Sequence, residues 1–134
     1  MSVLVDSSVI LDLFTNDPLW RPWSEKQLVE LDLTDELIIN DVIWAECSGS
    51  FSRIEDYRAA MNELDFTCER LTEEALFLAT KVFISYRRSG GTKLRPLPDF
   101  FIGAHAAVSG CSVLTRDPSR IRQYFPKVHL MYPK

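Results

Sequence analysis

The sequence predicts an α/β fold of three layers, in which a central parallel sheet of four to five strands is covered by helices on both faces. Three short and predominantly apolar runs lie at residues 3–5, 37–39 and 111–114. Such runs are typical of strands buried on both faces of a parallel sheet. Segments with helical periodicity separate the runs, and this alternation favours parallel pairing. The length of 134 residues fits one domain spanning residues 1–134.

Each further element is predicted from its apolar pattern and from the residues at its ends. Side chains that can cap a helix precede several periodic segments, as Ser7 and Ser8 do after the first strand. The predicted helices occupy residues 9–14, 24–33, 42–47, 53–66, 72–88 and 98–110. A last strand is expected at 128–130, and residues 67–71 are interpreted as a linker or an edge strand.

Composition excludes several classes of protein. No apolar run approaches the ~20 residues that a bilayer-spanning helix needs. The N-terminus lacks the basic region of a secretory signal. The three cysteines form no CxxC pair, which excludes a cysteine zinc site and argues against a disulfide framework. We therefore expect a cytoplasmic protein without membrane contacts.

Charge is divided sharply between the two parts of the chain. The net charge of −4 combines −12 over residues 1–80 with +8 over residues 81–134, where Asp99 and Asp117 are the two acids. Such an asymmetry indicates a face that binds a polyanion. The alternative is that solvated helices have collected charges of one sign.

Four acidic side chains stand where a site is expected. In doubly wound parallel sheets, ligands bind beyond the carboxyl ends of the strands, and Asp6 and Asp117 both follow predicted strands. Asp99 begins a helical face that otherwise holds small and apolar residues, so we expect it to face the protein. The alternative for Asp99 is a helix-dipole contact at an exposed N-terminus. Glu46 flanks the apolar face of its helix.

Convergence of these four acids would place like charges together, and such a cluster ionises fully only around a cation. Ligands that are all oxygen suit a hard ion such as Mg²⁺ or Mn²⁺. An ion held by carboxylates activates water and clamps a phosphate group. The pattern therefore favours hydrolysis of a phosphate ester.

The segments that contain these acids resemble the four acidic motifs of PIN domains, most closely those of VapC-type toxins of bacterial toxin–antitoxin pairs. They are VLVDSSVIL at 3–11, WAE at 44–46, PDFFIGAHA at 98–106 and LTRDP at 114–118. The tail at 124–133 is also similar, so the resemblance covers nearly the whole chain. It implies a PIN-like fold and a homodimeric, metal-dependent endoribonuclease toxin, with Mg²⁺ or Mn²⁺ as cofactor. A VapB-type antitoxin would neutralise it.

The resemblance also implies roles for individual residues. The catalytic acids that would hold the metal are Asp6, Glu46, Asp99 and Asp117. Polar groups that would orient these acids or a bound water are Ser7, Ser8 and Thr115. RNA would lie along the basic part of the chain, at Arg87, Arg88, Lys93, Arg95 and Arg116. Trp20 and Trp23 are candidate anchors for the antitoxin.

Two other functions stay open at this point. One is a PIN domain that binds RNA without cleaving it. The other is a receiver-like signalling domain with an acidic pocket, although no middle strand of this sequence ends in the required aspartate. Among the remaining polar residues, Asp12 is interpreted as a solvated helix position, and His105 and Cys47 are interpreted as structural.

Overall fold

The computed structural model describes residues 1–94 and 97–134. Its centre is a parallel sheet with the strand order β3-β2-β1-β4-β5. The strands are β1 (Ser2–Val5), β2 (Glu36–Ile39), β3 (Thr67–Cys68), β4 (Ser112–Leu114) and β5 (Leu130–Met131). Helices flank this sheet, so the predicted α/β fold is confirmed, and the edge-strand interpretation of 67–71 holds for two residues.

Seven helices connect the strands over the described residues. They are α1 (Ser7–Phe14), α2 (Arg21–Asp32), α3 (Asp41–Cys47), α4 (Ile54–Asn62), α5 (Glu73–Arg88), α6 (Pro98–Ser109) and α7 (Ser119–Tyr124). Helix α4 ends before the predicted residue 66, and Asp65 takes up a left-handed conformation with φ of 57°. Helix α7 was not predicted, because a helix of six residues with one buried side chain has no apolar period to detect.

The strand order fixes where a site can form. The chain first adds β2 and β3 on one side of β1, and then crosses through α5 and α6 to add β4 and β5 on the other side. The direction of strand addition therefore reverses between β1 and β4, and ligands bind beyond the strand ends at such a point. Asp6 and Thr115 are the residues that follow these two strands.

The two central strands carry the core of the protein. Leu4 and Val5 of β1 and Val113 and Leu114 of β4 are completely buried. Burial of one such side chain stabilises the fold by about 1.5–3 kcal/mol relative to its exposure. The strand ends that carry the acidic residues are therefore anchored rigidly. Among the described helices, no segment is both long and apolar enough to cross a bilayer.

Helices α6 and α7 pack closely at one glycine. A β-carbon on Gly103 would overlap with the ring of Phe125, which follows α7, so this approach requires a glycine. Ile121 of α7 is also completely buried. Asp99 lies one turn before Gly103 on the same face of α6. The first turn of α7 is thereby held beside Asp99.

Candidate functional site

Asp6 lies at the end of β1, and two hydroxyl groups fix its carboxylate. Ser8 Oγ and Thr115 Oγ1 each donate a hydrogen bond of 2.8 Å to Asp6 Oδ2. Asp6 is 5% exposed, and Thr115 is completely buried. Both hydroxyls use the same carboxylate oxygen, so Oδ1 of Asp6 is the oxygen that remains for a ligand.

The turn after β4 is tied to the beginning of α1. The backbone N–H of Arg116 donates to Ser8 Oγ at 3.1 Å. The N–H of Asp117 donates to Thr115 Oγ1 at 3.0 Å. Ser8 and Thr115 therefore connect the buried carboxylate of Asp6 with the backbone that carries the exposed Asp117.

Glu46 reaches this edge from α3. Ser7 Oγ donates a hydrogen bond of 2.9 Å to Glu46 Oε1. Asn40 caps α3, because its Oδ1 accepts from the N–H of Ile43 at 3.0 Å. Glu46 as a whole is exposed, yet partial desolvation of its carboxyl group, followed by the negative charges of Asp6 and Asp99, raises its pKa in spite of the Ser7 bond.

Asp99 lies in the first turn of α6 and is paired with Arg120, a cation that was not predicted as a site residue. Arg120 Nη1, on α7, donates to Asp99 Oδ2 at 3.1 Å. Burial is the main cause that raises the pKa of Asp99, and the charge of Asp6 raises it further. Arg120 opposes this shift without cancelling it. The ionised form of Asp99 is therefore under-compensated in the folded protein.

The four acids influence one another electrostatically. Asp6 raises the pKa of both Glu46 and Asp99, and Asp117 also raises the pKa of Asp99. The geometry nevertheless stops short of a preformed cage: within 1–94 and 97–134, no three Asp, Glu, His or Cys side chains are placed to hold one ion together. The donors are carboxylates, which fit Mg²⁺ or Mn²⁺ by chemistry. Ion binding therefore requires some of these side chains to move.

Asp12 is buried, so its interpretation as a solvated helix position is wrong. Asp12 is 1% exposed, and it accepts from Arg116 Nε at 3.0 Å and from Arg116 Nη2 at 2.9 Å. Ser24 Oγ donates a third bond to Asp12 at 2.7 Å. The guanidinium of Arg116 also lies 5.4 Å from the ring centre of Trp20. Arg116 thus has a structural role that was not predicted, and its RNA contact stays a prediction.

The other predicted RNA contacts lie at the end of α5 and in the loop that follows. Arg87, Arg88 and Lys93 are exposed. Arg87 Nη1 donates to the carbonyl oxygen of Lys93 at 3.0 Å, which holds the loop against the helix end. Arg95 lies outside the described residues. Arg87, Arg88 and Lys93 thus lie on one surface segment, and the RNA contacts of all four residues stay predictions.

His105 and Cys47 have the structural positions predicted for them. His105 is 3% exposed and bridges Asn40 Nδ2 at 3.0 Å and Glu69 Oε1 at 3.1 Å. Cys47 is completely buried behind Glu46, and desolvation raises the pKa of its thiol to about 12. A thiol in this environment is no nucleophile near neutral pH.

Two features of this region were not predicted from the sequence. They are the contact of Arg120 with Asp99 and the burial of Asp12. Arg120 belongs to the basic part of the chain, and that charge excess was the one available signal for it. Asp12 and Arg116 are 104 residues apart, so no local pattern connects them.

Comparison with solved structures shows that this fold is shared along the full chain. The chain is similar to one in VapBC2 of Rickettsia felis bound to a promoter DNA fragment, with TM-score 0.77, 12% identity and 100% coverage of both chains. The chain is also similar to one in VapBC-1 of nontypeable Haemophilus influenzae, with a TM-score of 0.73, 17% identity and 98% coverage of both chains. A chain in a toxin–antitoxin complex from Klebsiella pneumoniae is similar with a TM-score of 0.68, 18% identity and 98% coverage of both chains.

Sequence comparison assigns the chain to a family. No curated protein shows significant sequence similarity to it. The profile of the PIN domain family, however, matches residues 3–125 and so includes all four acidic motifs. The chain therefore belongs to the PIN domain family.

Proposed function

We propose that this protein is a metal-dependent endoribonuclease and the VapC-type toxin of a toxin–antitoxin pair. The observation that carries the proposal is the electrostatic coupling of Asp6, Glu46, Asp99 and Asp117 at the point where strand order reverses. The negative charges of neighbouring acids raise the pKa values of Glu46 and Asp99, and such perturbed carboxylates are typical of functional sites. Membership of the PIN domain family supports the nuclease activity.

The four carboxylates would hold Mg²⁺ or Mn²⁺. When bound, the ion supplies an activated water and neutralises charge on the scissile phosphate. Ser8 and Thr115 keep Asp6 in place, and Ser7 keeps Glu46 in place. These hydroxyls thus orient the acids before the ion binds, which lowers the entropic cost of assembling the site.

RNA would approach from the basic part of the chain. Arg87, Arg88 and Lys93 are exposed there, and we assign them, with Arg95, to contacts with the phosphate backbone. Arg116 is assigned a weaker contact, because two of its nitrogen atoms already donate to Asp12. Attack by water on phosphorus, with the 3′ oxygen as the leaving group, would leave 5′-phosphate and 3′-hydroxyl ends, as the family resemblance implies.

The partner would be a VapB-type antitoxin. The Klebsiella pneumoniae relative is part of a toxin–antitoxin complex, and the VapBC relatives point in the same direction. A fixed positive charge can replace a metal ion among carboxylates, so we expect the inhibitory segment to carry an arginine. Co-expression with the neighbouring open reading frame should abolish growth inhibition and yield a stable complex. Unchanged inhibition without co-purification would contradict the partner assignment. We also propose a homodimer, which light scattering of the purified toxin tests.

The nuclease proposal is tested by mapping products. Purified protein free of antitoxin is incubated with total RNA and Mn²⁺, with and without excess chelator, and the 5′ ends of the fragments are sequenced. We expect 5′-phosphate ends at a small set of sites, and no fragments in chelator. RNA that is bound but stays intact in Mn²⁺ would favour the alternative, a PIN domain that binds RNA without cleaving it.

The receiver-like alternative is wrong. Receiver domains have the strand order 2-1-3-4-5, whereas this sheet has the order β3-β2-β1-β4-β5. The match to the PIN domain family over residues 3–125 agrees with this exclusion.

A further inference from the structure

Arg120 is paired with Asp99, one of the four acids, and the proposed chemistry has not used it. We propose that Arg120 is a displaceable cation of this site: it holds Asp99 in the metal-free protein, gives it up when a divalent ion binds, and then contacts the RNA phosphate. The inference rests on the proposed function. Its starting point is the bond of 3.1 Å from Arg120 Nη1 to Asp99 Oδ2.

The pair has the properties of a contact that can be exchanged. The side chain of Arg120 is 41% exposed and that of Asp99 is 30% exposed. Solvent screens an ion pair at this level of exposure, so its contribution to stability is small. A divalent ion that several carboxylates bind offers Asp99 a stronger partner. Asp99 would therefore exchange Arg120 for the ion.

One arginine also supplies too little charge for the cluster. Arg120 Nη1 contacts one carboxylate oxygen, Oδ2 of Asp99. Its guanidinium brings a single positive charge to a site with four acids, and a divalent ion would compensate more of the negative charge.

The backbone under Arg120 keeps the guanidinium at the site after its release. Gly103 of α6 lies against the ring of Phe125, and Ile121 of α7 is completely buried. The first turn of α7 is therefore fixed, and Arg120 can move only about its own side-chain torsions. A phosphate bound next to Asp99 would lie within reach of the released guanidinium. Guanidinium groups bind phosphate oxygens in a bidentate manner, which favours this second contact.

Arg122 provides a matched control on the same helix. It is exposed, and its guanidinium lies 4.7 Å from the ring centre of Tyr132. Residues two apart on a helix point to different sides. Substitution of either arginine by glutamine removes one positive charge from α7, so a difference between the two variants reports position and not net charge.

The first test measures metal affinity. Mn²⁺ is titrated calorimetrically into metal-free wild type, Arg120→Gln, Arg122→Gln and Arg120→Lys. The Arg120→Gln variant lacks the competing charge, so its Kd for Mn²⁺ should be at least about 5-fold lower than that of wild type. Arg122→Gln should match wild type, and Arg120→Lys should stay close to it because the charge is kept. Thermal melts check folding, and Mn²⁺ should raise the melting temperature of Arg120→Gln more than that of Arg122→Gln.

The second test measures cleavage at saturating Mn²⁺. We expect kcat/KM to fall about 10-fold in Arg120→Gln, in line with the loss of one charged contact to the transition state. Tighter metal binding together with slower cleavage is the signature of the proposal, since a merely structural defect would weaken both. Arg120→Lys should recover part of the cleavage, because a lysine keeps the positive charge but cannot make the bidentate contact of a guanidinium group.

The outcomes separate this inference from the proposed function. Equal or weaker Mn²⁺ binding by Arg120→Gln would overturn the displacement while wild-type cleavage still stands. Unchanged kcat/KM at saturating Mn²⁺ would overturn the phosphate contact. A wild type that neither binds Mn²⁺ nor cleaves RNA would overturn the proposed function and this inference together.

Discussion

Arg116 and Asp12 form a two-point ion pair, at 2.9 and 3.0 Å, between residues that are 104 positions apart. The pair joins α1 to the turn after β4, which carries Thr115 and Asp117. Since the N–H of Arg116 also donates to Ser8 Oγ, the turn is held through both backbone and side chain. The carboxylate of Asp6 and the backbone that carries Asp117 are thus held close together without a metal.

Removal of Asp12 should destabilise the protein. Asp12→Ala leaves the guanidinium of Arg116 and the hydroxyl of Ser24 without their acceptor. Loss of one partner from a buried pair costs about 3–5 kcal/mol, and the partial exposure of Arg116 reduces this to about 2–4 kcal/mol. Urea unfolding measures the difference, with the exposed Asp32→Ala on α2 as control. A midpoint equal to that of wild type would show that Asp12 is solvated after all.

Metal-free protein should lose stability as pH rises. The folded pKa values of Glu46 and Asp99 are raised, so the folded state binds protons more tightly than the unfolded chain does. The penalty is absent below the ordinary values of 3.8 for aspartate and 4.5 for glutamate. It grows as pH passes upward through the raised folded pKa values, and it is complete above them. Thermal melts in chelator between pH 4 and 8 should show this loss, and Mn²⁺ should reduce it.

Asp99→Asn should remove its own part of that penalty. At pH 7.5 in chelator it should melt above wild type, because the raised pKa of Asp99 means that its ionised form is disfavoured in the folded state. It should gain less than wild type from Mn²⁺, which at about 100-fold excess over Kd stabilises a binding protein by roughly 2.7 kcal/mol. A lower melting temperature in chelator, with an equal response to Mn²⁺, would make Asp99 a structural partner of Arg120 alone.

RNA binding should depend on salt through the basic residues of the second part of the chain. We replace Arg87, Arg88 and Lys93 by glutamine and measure the RNA-binding constant at several salt concentrations. The slope of its logarithm against the logarithm of salt concentration should become shallower by about 0.7 for each lost contact to single-stranded RNA. The matched control replaces Arg53, Arg58 and Arg70, which are exposed in the acidic part. Equal slopes for the two triple variants, measured in chelator, would mean that the charge asymmetry does not guide RNA.

Most strands of the sheet could be predicted, because a strand that is buried on both faces is a continuous apolar run in the sequence. The three apolar runs form β1, β2 and β4, and Asp6 and Asp117, which come after β1 and β4, lie where strand order reverses. Asp99 was predicted to face the protein from the stripe of small residues on α6, and Gly103 in that stripe is the point of contact with Phe125. These features depend on residues that are close in sequence.

The missed features depend on residues that are far apart or on elements too short to show a period. Helix α7 has six residues, so neither the helix nor the approach of Arg120 to Asp99 could be foreseen. The local sequence around Asp12 does not distinguish a buried aspartate from a solvated one. Its burial depends on Arg116 and Ser24, which are distant in sequence. Tertiary packing decides such cases.

The most direct test of the account is the rate of RNA cleavage in Mn²⁺ by wild type and by variants with single neutralised acids. These are Asp6→Asn, Glu46→Gln, Asp99→Asn and Asp117→Asn, with the exposed Asp41→Asn on α3 as control. Each site variant should lose cleavage by orders of magnitude, because loss of one ligand charge weakens ion binding, and Asp41→Asn should match wild type. Excess chelator should abolish all cleavage. Cleavage by Asp99→Asn in chelator at a rate near that of wild type would contradict a metal site built on these acids.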